Sequence, residues 1–432
     1  MAETLAAQIS DARVPMATLE TRYRPMLELV RQLIGVAPNC DELLEIWPTG
    51  FRTYNLIVPN SLNLPVSLWG RNVPKDLVGL GMYVSSRAAG CPYCTAHTCS
   101  FAMRRGTSVE AMTGNRSPVE VAVTEYAEAV AQVPAYVTAD HVAALRRHLD
   151  EGQVEAVVMG TVMMGFLNKF MDVVGVELED EALLDVGSVL GPTGWSPGKH
   201  VEAGYELPTD SHRPKVDSAA TYLQVIRQAP GAIRMERRWV KGVPNRSAES
   251  AQFLATHAGH AFPLVGKLPS RRLIRAITTV LRDNLDPKST SVGLPTKALA
   301  GLVFATVVGN EYLVEENTQL VRRYLAATEN VGTEGIHQAL EVAQELGESP
   351  FPQDEAGLAE MVANLSDRLH GVGINASALI FSRAAAPSPA EVSPAVLARV
   401  TPKLAPAQAI EVAVWLSVQQ YLHRFERFVA VA

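Results

Sequence analysis

One short segment carries the side chains best suited to chemistry in this chain. Three of the four cysteines and one of the ten histidines lie in Cys91–Cys99, which reads CPYCTAHTC. Two thiols at this spacing can cycle between dithiol and disulfide, and a histidine one turn later can carry the proton. The candidate redox residues are therefore Cys91, Cys94 and His97.

The residues around the first cysteine predict the start of a helix. Gly90 suits the left-handed position after one helix, and Pro92 suits the first position of the next. Cys91 is then the N-cap and Cys94 the third helical residue, where unpaired N–H groups and the helix dipole favour a thiolate. Residues three apart share a helix face, so Cys94 contacts both Cys91 and His97. We therefore expect a thiol of lowered pKa here.

Less reactive interpretations of the cluster remain open. Buried structural cysteines are common, although two at this spacing at a helix start seldom serve packing alone. A zinc site would need Cys91, Cys94, His97 and Cys99 to face one metal from one rigid helix, and no second ligand cluster accompanies them. His257 and His260 are spaced for a metal but lack nearby carboxylates, so no metal site is expected.

Composition restricts the class of protein. A chain of 432 residues with 47% hydrophobic residues should fold into two domains with well-buried cores. A net charge of −7 and a pI near 5.9 argue against nucleic acid or an anionic membrane as partner. The longest apolar runs are too short to span a bilayer, and the N-terminus lacks a secretory pattern. Clustered cysteines suit a reducing compartment, so a cytoplasmic protein is expected.

Helical periodicity predominates along the chain. Amphipathic patterns predict helices over Pro118–Val133 and Ala139–Leu149, and Val154–Met171 is apolar on nearly every side, as in a central buried helix. Alternating runs with hairpin turns are scarce. No glycine-rich nucleotide loop is evident, so neither flavin nor NAD is expected to bind. The predicted fold class is all-α.

The sequence also repeats itself. Shifts of 219 and then 255 residues align two ordered sets of identical residues, and the difference of 36 implies an insertion within Glu334–Pro387. We therefore predict a first domain at 1–190, a Gly- and Pro-rich linker at 191–217 and a second domain at 218–432, packed as a pseudo-dimer. The identities are Leu80, Val84, Gly90, Tyr93 and Arg104 on Leu299, Val303, Gly309, Tyr312 and Arg323, then Pro134, Ala135, Val137, Leu149, Gln153, Leu167, Phe170, Val174 and Val176 on Pro389, Ala390, Val392, Leu404, Gln408, Leu422, Phe425, Val429 and Val431.

The second copy has lost the thiols. Asn310 stands in the place of Cys91, Leu313 in that of Cys94 and Glu316 in that of His97. Asparagine is a favoured N-cap, so the helix start should survive without redox chemistry. Glu311 and Glu315 lie in the same segment, and acids there are most simply capping charges.

These residues resemble a known family. The segment from Pro65 to Glu181 resembles the alkylhydroperoxidase (AhpD)-like, carboxymuconolactone decarboxylase family, through the Cys91–Cys94 turn, His97 and the later apolar helix Val154–Phe170. A fainter resemblance covers Lys267–Ala432. The resemblance to this family implies an all-helical homo-oligomer that reduces hydroperoxides.

The resemblance also implies roles for individual residues. Cys94 would attack the peroxide, Cys91 would resolve the sulfenic acid as a disulfide, and His97 would assist proton transfer, with an external dithiol donor and no bound cofactor. The family pattern places its histidine one residue later, at Thr98, and a relay glutamate where this chain has Gly79. Asp76, one turn earlier, could substitute, but a first-turn helix charge is the simpler interpretation.

Other functions stay open at the level of sequence. The same fold could support a non-redox decarboxylase or biosynthetic enzyme, or a redox-sensing protein without turnover. The segment Gly191–His200 could also cover the thiols as a lid, although an ordinary linker is the commoner use of such a sequence.

Overall fold

The protein is described here as a computed structural model, which covers residues 4–64, 67, 72–208, 214 and 216–432. Pro65 and linker residues 209–213 and 215 lie outside these ranges. The described residues form helices and turns without a strand, so the prediction of an all-α fold is confirmed.

Twenty-one α-helices are described. The first eleven are α1 (Leu5–Gln8), α2 (Met16–Ile34), α3 (Cys40–Leu44), α4 (Pro48–Ser61), α5 (Lys75–Ala88), α6 (Pro92–Arg104), α7 (Val109–Thr113), α8 (Pro118–Ala131), α9 (Ala139–Arg146), α10 (Glu151–Val174) and α11 (Asp180–Leu190). The remaining ten are α12 (Ala219–Trp239), α13 (Ser247–His257), α14 (Arg271–Asn284), α15 (Leu294–Val307), α16 (Glu311–Ala326), α17 (Thr333–Glu348), α18 (Glu355–Arg368), α19 (Ala376–Ala385), α20 (Pro394–Val400) and α21 (Pro406–Val431).

The two longest helices, α10 and α21, pack against each other at the centre of the molecule. Helix α10 begins with a reciprocal capping box between Asp150 and Gln153 and ends at Gly175, whose φ of 69° is left-handed. It is long and apolar enough to cross a membrane, but 94% of its most apolar window is buried inside the protein. One hydrophobic cluster runs from Leu5 to Phe425, so both halves of the chain share a core.

Helices in the two halves have matching bounds. Lys75–Ala88 and Leu294–Val307 are offset by 219 residues at both ends, and the helices that follow begin 219 apart at Pro92 and Glu311. The offset is 255 at the starts of α9 and α20 and of α10 and α21. Between these sets, α17 and α18 occupy the place of the short α7, within the stretch where an insertion was predicted.

A pair of buried cations links the halves reciprocally. Lys169 Nζ on α10 donates to the carbonyl of Ala386 at 2.8 Å, and Arg424 Nη2 on α21 donates to that of Ala131 at 3.4 Å. Lys169 and Arg424 are 255 positions apart, as are Ala131 and Ala386. Contacts in which each partner repeats the other's role are characteristic of a two-fold interface.

Candidate active site

The thiol helix begins as the sequence predicts. Gly90 has a left-handed φ of 66°, Cys91 is the extended N-cap and Pro92 is the first residue of α6. The Cys91 sulfur accepts a hydrogen bond from the backbone N–H of Cys94 at 3.4 Å. The side chain that meets the positive end of this helix is therefore that of Cys91.

Both sulfurs are buried side by side. Cys91 is 1% exposed and Cys94 is 4% exposed. Burial, followed by the interaction with the neighbouring Cys91 thiol, raises the pKa of Cys94 well above its usual value. The expected lowering of the Cys94 pKa is therefore wrong, because the cost of desolvating a thiolate exceeds the benefit of the helix N-terminus. All four cysteines are thiols in this structure.

His97 is held by a carboxylate that sequence reasoning missed. Its Nε2 lies 2.7 Å from Glu179 Oε2, and its ring packs 4.5 Å from that of Tyr93. The Tyr93 hydroxyl donates to Glu179 Oε1 at 2.8 Å, and the Asn39 backbone N–H donates to the same oxygen at 2.6 Å. A histidine paired with a buried acid keeps a fixed orientation and is stabilised when it takes up a proton.

Glu179, and neither Gly79 nor Asp76, is the residue that places an acid beside His97. Burial alone would raise its pKa, but His97 beside it and the hydrogen bonds from His97 and Asn39 hold the pKa below its usual value. Asp76 lies in the first turn of α5, as its simpler interpretation requires. Glu179 precedes helix α11 by one residue and follows His97 by 82, so no local spacing connects the pair.

A second carboxyl belongs to the same cluster. Asp41 is 1% exposed, and neither side-chain oxygen has a hydrogen-bond partner. Burial, with the negative charge of Glu179 as the next cause, raises the pKa of Asp41 to about 8. Cys40 is also buried, and the charges of Cys40, Asp41 and Glu179 all bear on Tyr54. The site thus holds one ionised and one protonated acid at neutral pH.

Two buried cations lie near the start of the thiol helix. Arg424 is fully buried and donates to the Ser85 hydroxyl, and the adjacent Ser86 carbonyl accepts from the Cys91 backbone N–H at 3.2 Å. Lys169 is fully buried as well, and burial lowers its pKa to about 7 despite the opposing charges of Asp172 and Cys91. The low-dielectric surroundings make such interactions stronger than they are at a surface.

The end of the segment Gly191–His200 packs beside the start of the thiol helix. Gly198 approaches the Pro92 ring, and Lys199 Nζ pairs with Asp172 at 2.8 Å. The His200 carbonyl accepts from Leu178 N–H at 2.8 Å, and its ring lies 5.8 Å from that of Tyr93. Residues 198–200 of the predicted linker therefore lie against the first turn of α6.

Two openings flank the covered site. One cavity of about 260 Å³ is lined by Gly175, Lys199 and His200, and a surface pocket of about 600 Å³ is lined by Asn39 and Glu179. A separate apolar pocket of about 170 Å³ surrounds Phe101 at the other end of α6 and contains none of the thiol-site residues. Glu179 thus lines this surface pocket and also pairs with the partly buried His97.

The second half of the chain retains the helix start but has an acid in the place of His97. Asn310 caps α16 by accepting from Leu313 N–H at 2.9 Å, as predicted, and Glu311 lies in the first turn. Glu316, in the place of His97, pairs with His260 Nε2 at 2.8 Å. The helix residue of this pair is thus the acid and its partner the histidine, whereas in the first half the helix residue is the histidine His97.

The histidine spacing that suggested a metal has another explanation. His257 stacks on Phe253 at 3.9 Å while His260 turns to Glu316, so the two rings have different partners. Within the described ranges, no three metal-binding side chains of the His, Cys, Asp and Glu types come together.

Comparison of the chain with family models, curated proteins and solved structures finds no match. The resemblance to the AhpD-like family therefore depends on the motif residues alone.

Proposed function

We propose that this protein is a thiol-dependent peroxidase that reduces hydroperoxides through Cys91 and Cys94. The observation that supports the proposal most strongly is the joint arrangement of two thiols at a helix start, where the Cys94 N–H donates to the Cys91 sulfur, and a histidine hydrogen-bonded to a buried glutamate. A C-x-x-C pair supplies two electrons, and a His–Glu pair supplies a proton route to the surface.

The proposed cycle balances electrons and protons. His97 accepts the Cys94 proton, and the Cys94 thiolate attacks the terminal peroxide oxygen, which breaks the O–O bond and leaves a sulfenic acid. The alkoxide takes the proton back from His97 and leaves as an alcohol, or as water from hydrogen peroxide. Cys91 then attacks the Cys94 sulfur, which forms the disulfide and releases water. An external dithiol returns two electrons and two protons by exchange.

The hydrogen bonds also bear on the order of ionisation. The Cys91 sulfur accepts the Cys94 backbone N–H, and this donor favours a negative charge on Cys91. The resemblance instead assigns the attack to Cys94. Trapping the sulfenic acid with a dimedone probe in Cys91→Ser and Cys94→Ser identifies the attacking sulfur, because only the variant that retains it is labelled.

Burial of both sulfurs favours a second candidate function. A pair that is 1% and 4% exposed would meet a bulky donor only after the residues that cover it move. A redox sensor needs oxidation once per event and tolerates such slow access, whereas a peroxidase must be reduced in every turnover.

One experiment separates the candidates. Hydroperoxide consumption is followed with a dithiol donor for the wild type, Cys91→Ser, Cys94→Ser and the control Cys99→Ser, whose sulfur lies further along α6. Turnover that disappears in the first two variants and persists in the third supports a peroxidase. One equivalent consumed without turnover supports a sensor, and turnover retained in both site variants rejects both thiol functions.

We further infer that the chain is a tandem duplication packed as a pseudo-dimer. The matching helix bounds and the reciprocal Lys169 and Arg424 contacts support it. A second pair of equivalent contacts supports the same arrangement. Lys169 Nζ lies 5.9 Å from the Phe304 ring centre, and Arg424 donates to the hydroxyl of Ser85, which is 219 positions earlier than Phe304. In this arrangement the thiol-free half supplies one wall of the redox site.

A further inference from the structure

We propose that Arg424, from the thiol-free half of the chain, is a positioning residue that acts as counter-ion to the thiolate formed at the Cys91/Cys94 pair. The inference deepens the proposed function, and it rests on that function only in requiring that the pair ionises.

Three hydrogen bonds fix the position of the buried Arg424 guanidinium. Its Nη1 donates to the Ser85 hydroxyl at 2.6 Å and to the Thr161 carbonyl at 2.9 Å, and its Nη2 donates to the Ala131 carbonyl at 3.4 Å. These acceptors come from α5, α8 and α10, and two of these helices, α5 and α10, pack against the thiol helix. The contacts fix the guanidinium without neutralising its charge, because all three acceptors are uncharged.

The guanidinium has no carboxylate partner in the described part of the chain. Its Nε is buried and has no hydrogen-bond acceptor. An unpaired charge inside a protein is costly, so a buried arginine is normally paired with an acid. The Ser85 acceptor of Arg424 is adjacent to Ser86, whose carbonyl accepts from the Cys91 backbone N–H at 3.2 Å, so the unpaired guanidinium lies next to the start of the thiol helix. The acidic groups whose charges bear on Arg424 are the two thiols and the Tyr126 hydroxyl.

The thiols need such a partner. Both sulfurs are almost wholly removed from water, and one backbone N–H at 3.4 Å is a weak substitute for lost solvation. A fixed cation in the same low-dielectric region stabilises the thiolate and leaves the neutral thiol unaffected. Ionisation of the pair would in turn remove the cost of the unpaired arginine.

Lys169 and Asp172, two other charged groups near the thiol pair, have partners of their own. Lys169 is satisfied by the carbonyls of Ala385 and Ala386 and by neighbouring oxygens, and Asp172 is paired with Lys199. The titratable groups whose charges bear on the thiols or on Arg424, or on which Arg424 bears, are Cys40, Tyr126, Lys169, Asp172 and His423. Of these, Tyr126 and Cys40 ionise only at alkaline pH, and burial lowers the pKa of His423 to about 3, so it is neutral in the range of the test.

The test measures thiol ionisation directly in the full-length protein. The rate of iodoacetamide modification of the Cys91–Cys94 peptide is followed by mass spectrometry from pH 5 to 10 in the wild type, Arg424→Gln and Arg424→Lys. Lys297→Met is the matched control, because Lys297 is also a fully buried cation but pairs with Glu411 in the second half.

Arg424→Gln is expected to raise the apparent thiol pKa by about one unit or more, which slows modification about tenfold at a fixed pH below it. Arg424→Lys should retain most of the wild-type profile, and Lys297→Met should leave it unchanged. A folded Arg424→Gln with the wild-type profile overturns the proposal, as does an equal shift in Lys297→Met.

If Arg424→Gln does not fold, a milder variant provides the test. Ser85→Ala removes the 2.6 Å acceptor that aims the guanidinium and should give a smaller shift in the same direction. No shift in Ser85→Ala would then overturn the inference. Because alkylation needs neither peroxide nor donor, a protein without peroxidase activity can still confirm it, and an active peroxidase can still contradict it.

Discussion

His97 Nε2 lies 2.7 Å from Glu179 Oε2, although 82 residues separate the two along the chain. This ion pair joins the thiol helix to the segment that precedes α11, and the Tyr93 hydroxyl and Asn39 backbone hold the acid in place. Removal of either partner should therefore affect both the chemistry and the acid stability of the protein.

Glu179→Gln is expected to slow any peroxide turnover by about 100-fold, the contribution typical of one proton-transfer group. The folded pKa of Glu179 is below its ordinary value, so the carboxylate contributes stability above about pH 4 that is lost as the pH falls through the folded pKa. The variant should lose that acid-range dependence in urea unfolding. Glu181→Gln, an exposed change on α11, is the control and should alter neither property.

Asp41→Asn should remove a pH dependence of stability whose sign is opposite to that of Glu179. The pKa of Asp41 is raised to about 8 in the fold and is near 4 when unfolded, so the folded state binds the extra proton between these values. Wild-type stability should therefore fall by a few kcal/mol from about pH 4 to pH 8 on account of this group. The variant should remove that slope in urea titrations, whereas exposed Asp11→Asn should keep it. A slope that persists in Asp41→Asn would show that another group binds the proton.

Lys169→Met is expected to destabilise the protein by about 2–4 kcal/mol, because buried carbonyl oxygens lose their donor. The ammonium now serves Ala385, Ala386 and Pro387 together with the Ser388 hydroxyl. Urea midpoints compare this variant with exposed Lys403→Met, which should be near neutral. Equal midpoints would mean that these carbonyls are satisfied in another way.

Lys199→Met is expected to expose the thiols. Loss of the 2.8 Å ion pair with Asp172 removes one attachment of the Gly191–His200 segment to the helices beneath it. A bulky maleimide should then react with Cys91 and Cys94 several-fold faster, and salt should accelerate the wild type toward the variant rate because it screens the ion pair. Lys288→Met, far along the chain on the surface, should react as the wild type does. An unchanged rate in Lys199→Met would assign access to a different segment.

Local chemistry made part of the site predictable. Gly90, Cys91 and Pro92 each adopt the role that their backbone preferences indicate, and Asn310 repeats the cap in the second half. The predicted helix over Val154–Met171 also exists, and it extends to Glu151 and Val174 because Asp150 caps it and Gly175 ends it. These features depend on neighbours within one or two turns.

What could not be predicted depends on tertiary contact. Glu179 reads in sequence as one more acid before a helix, next to Asp180 and Glu181, and only folding brings it to His97. Desolvation of Cys94 likewise arises from packing of both halves, which the motif does not reveal. The one sequence signal toward Arg424 was its alignment with Lys169 in the repeat, since both are cations on apolar helices.

The most direct measurement of the central claim is the product of a single peroxide encounter. The reduced protein is treated with one equivalent of hydroperoxide, the remaining thiols are blocked, and the peptides are mapped by mass spectrometry without reduction. We predict a disulfide between Cys91 and Cys94, with Cys40 and Cys99 still alkylated after denaturation. Four alkylated cysteines, or a stable sulfinic acid at one cysteine without the cross-link, would contradict it.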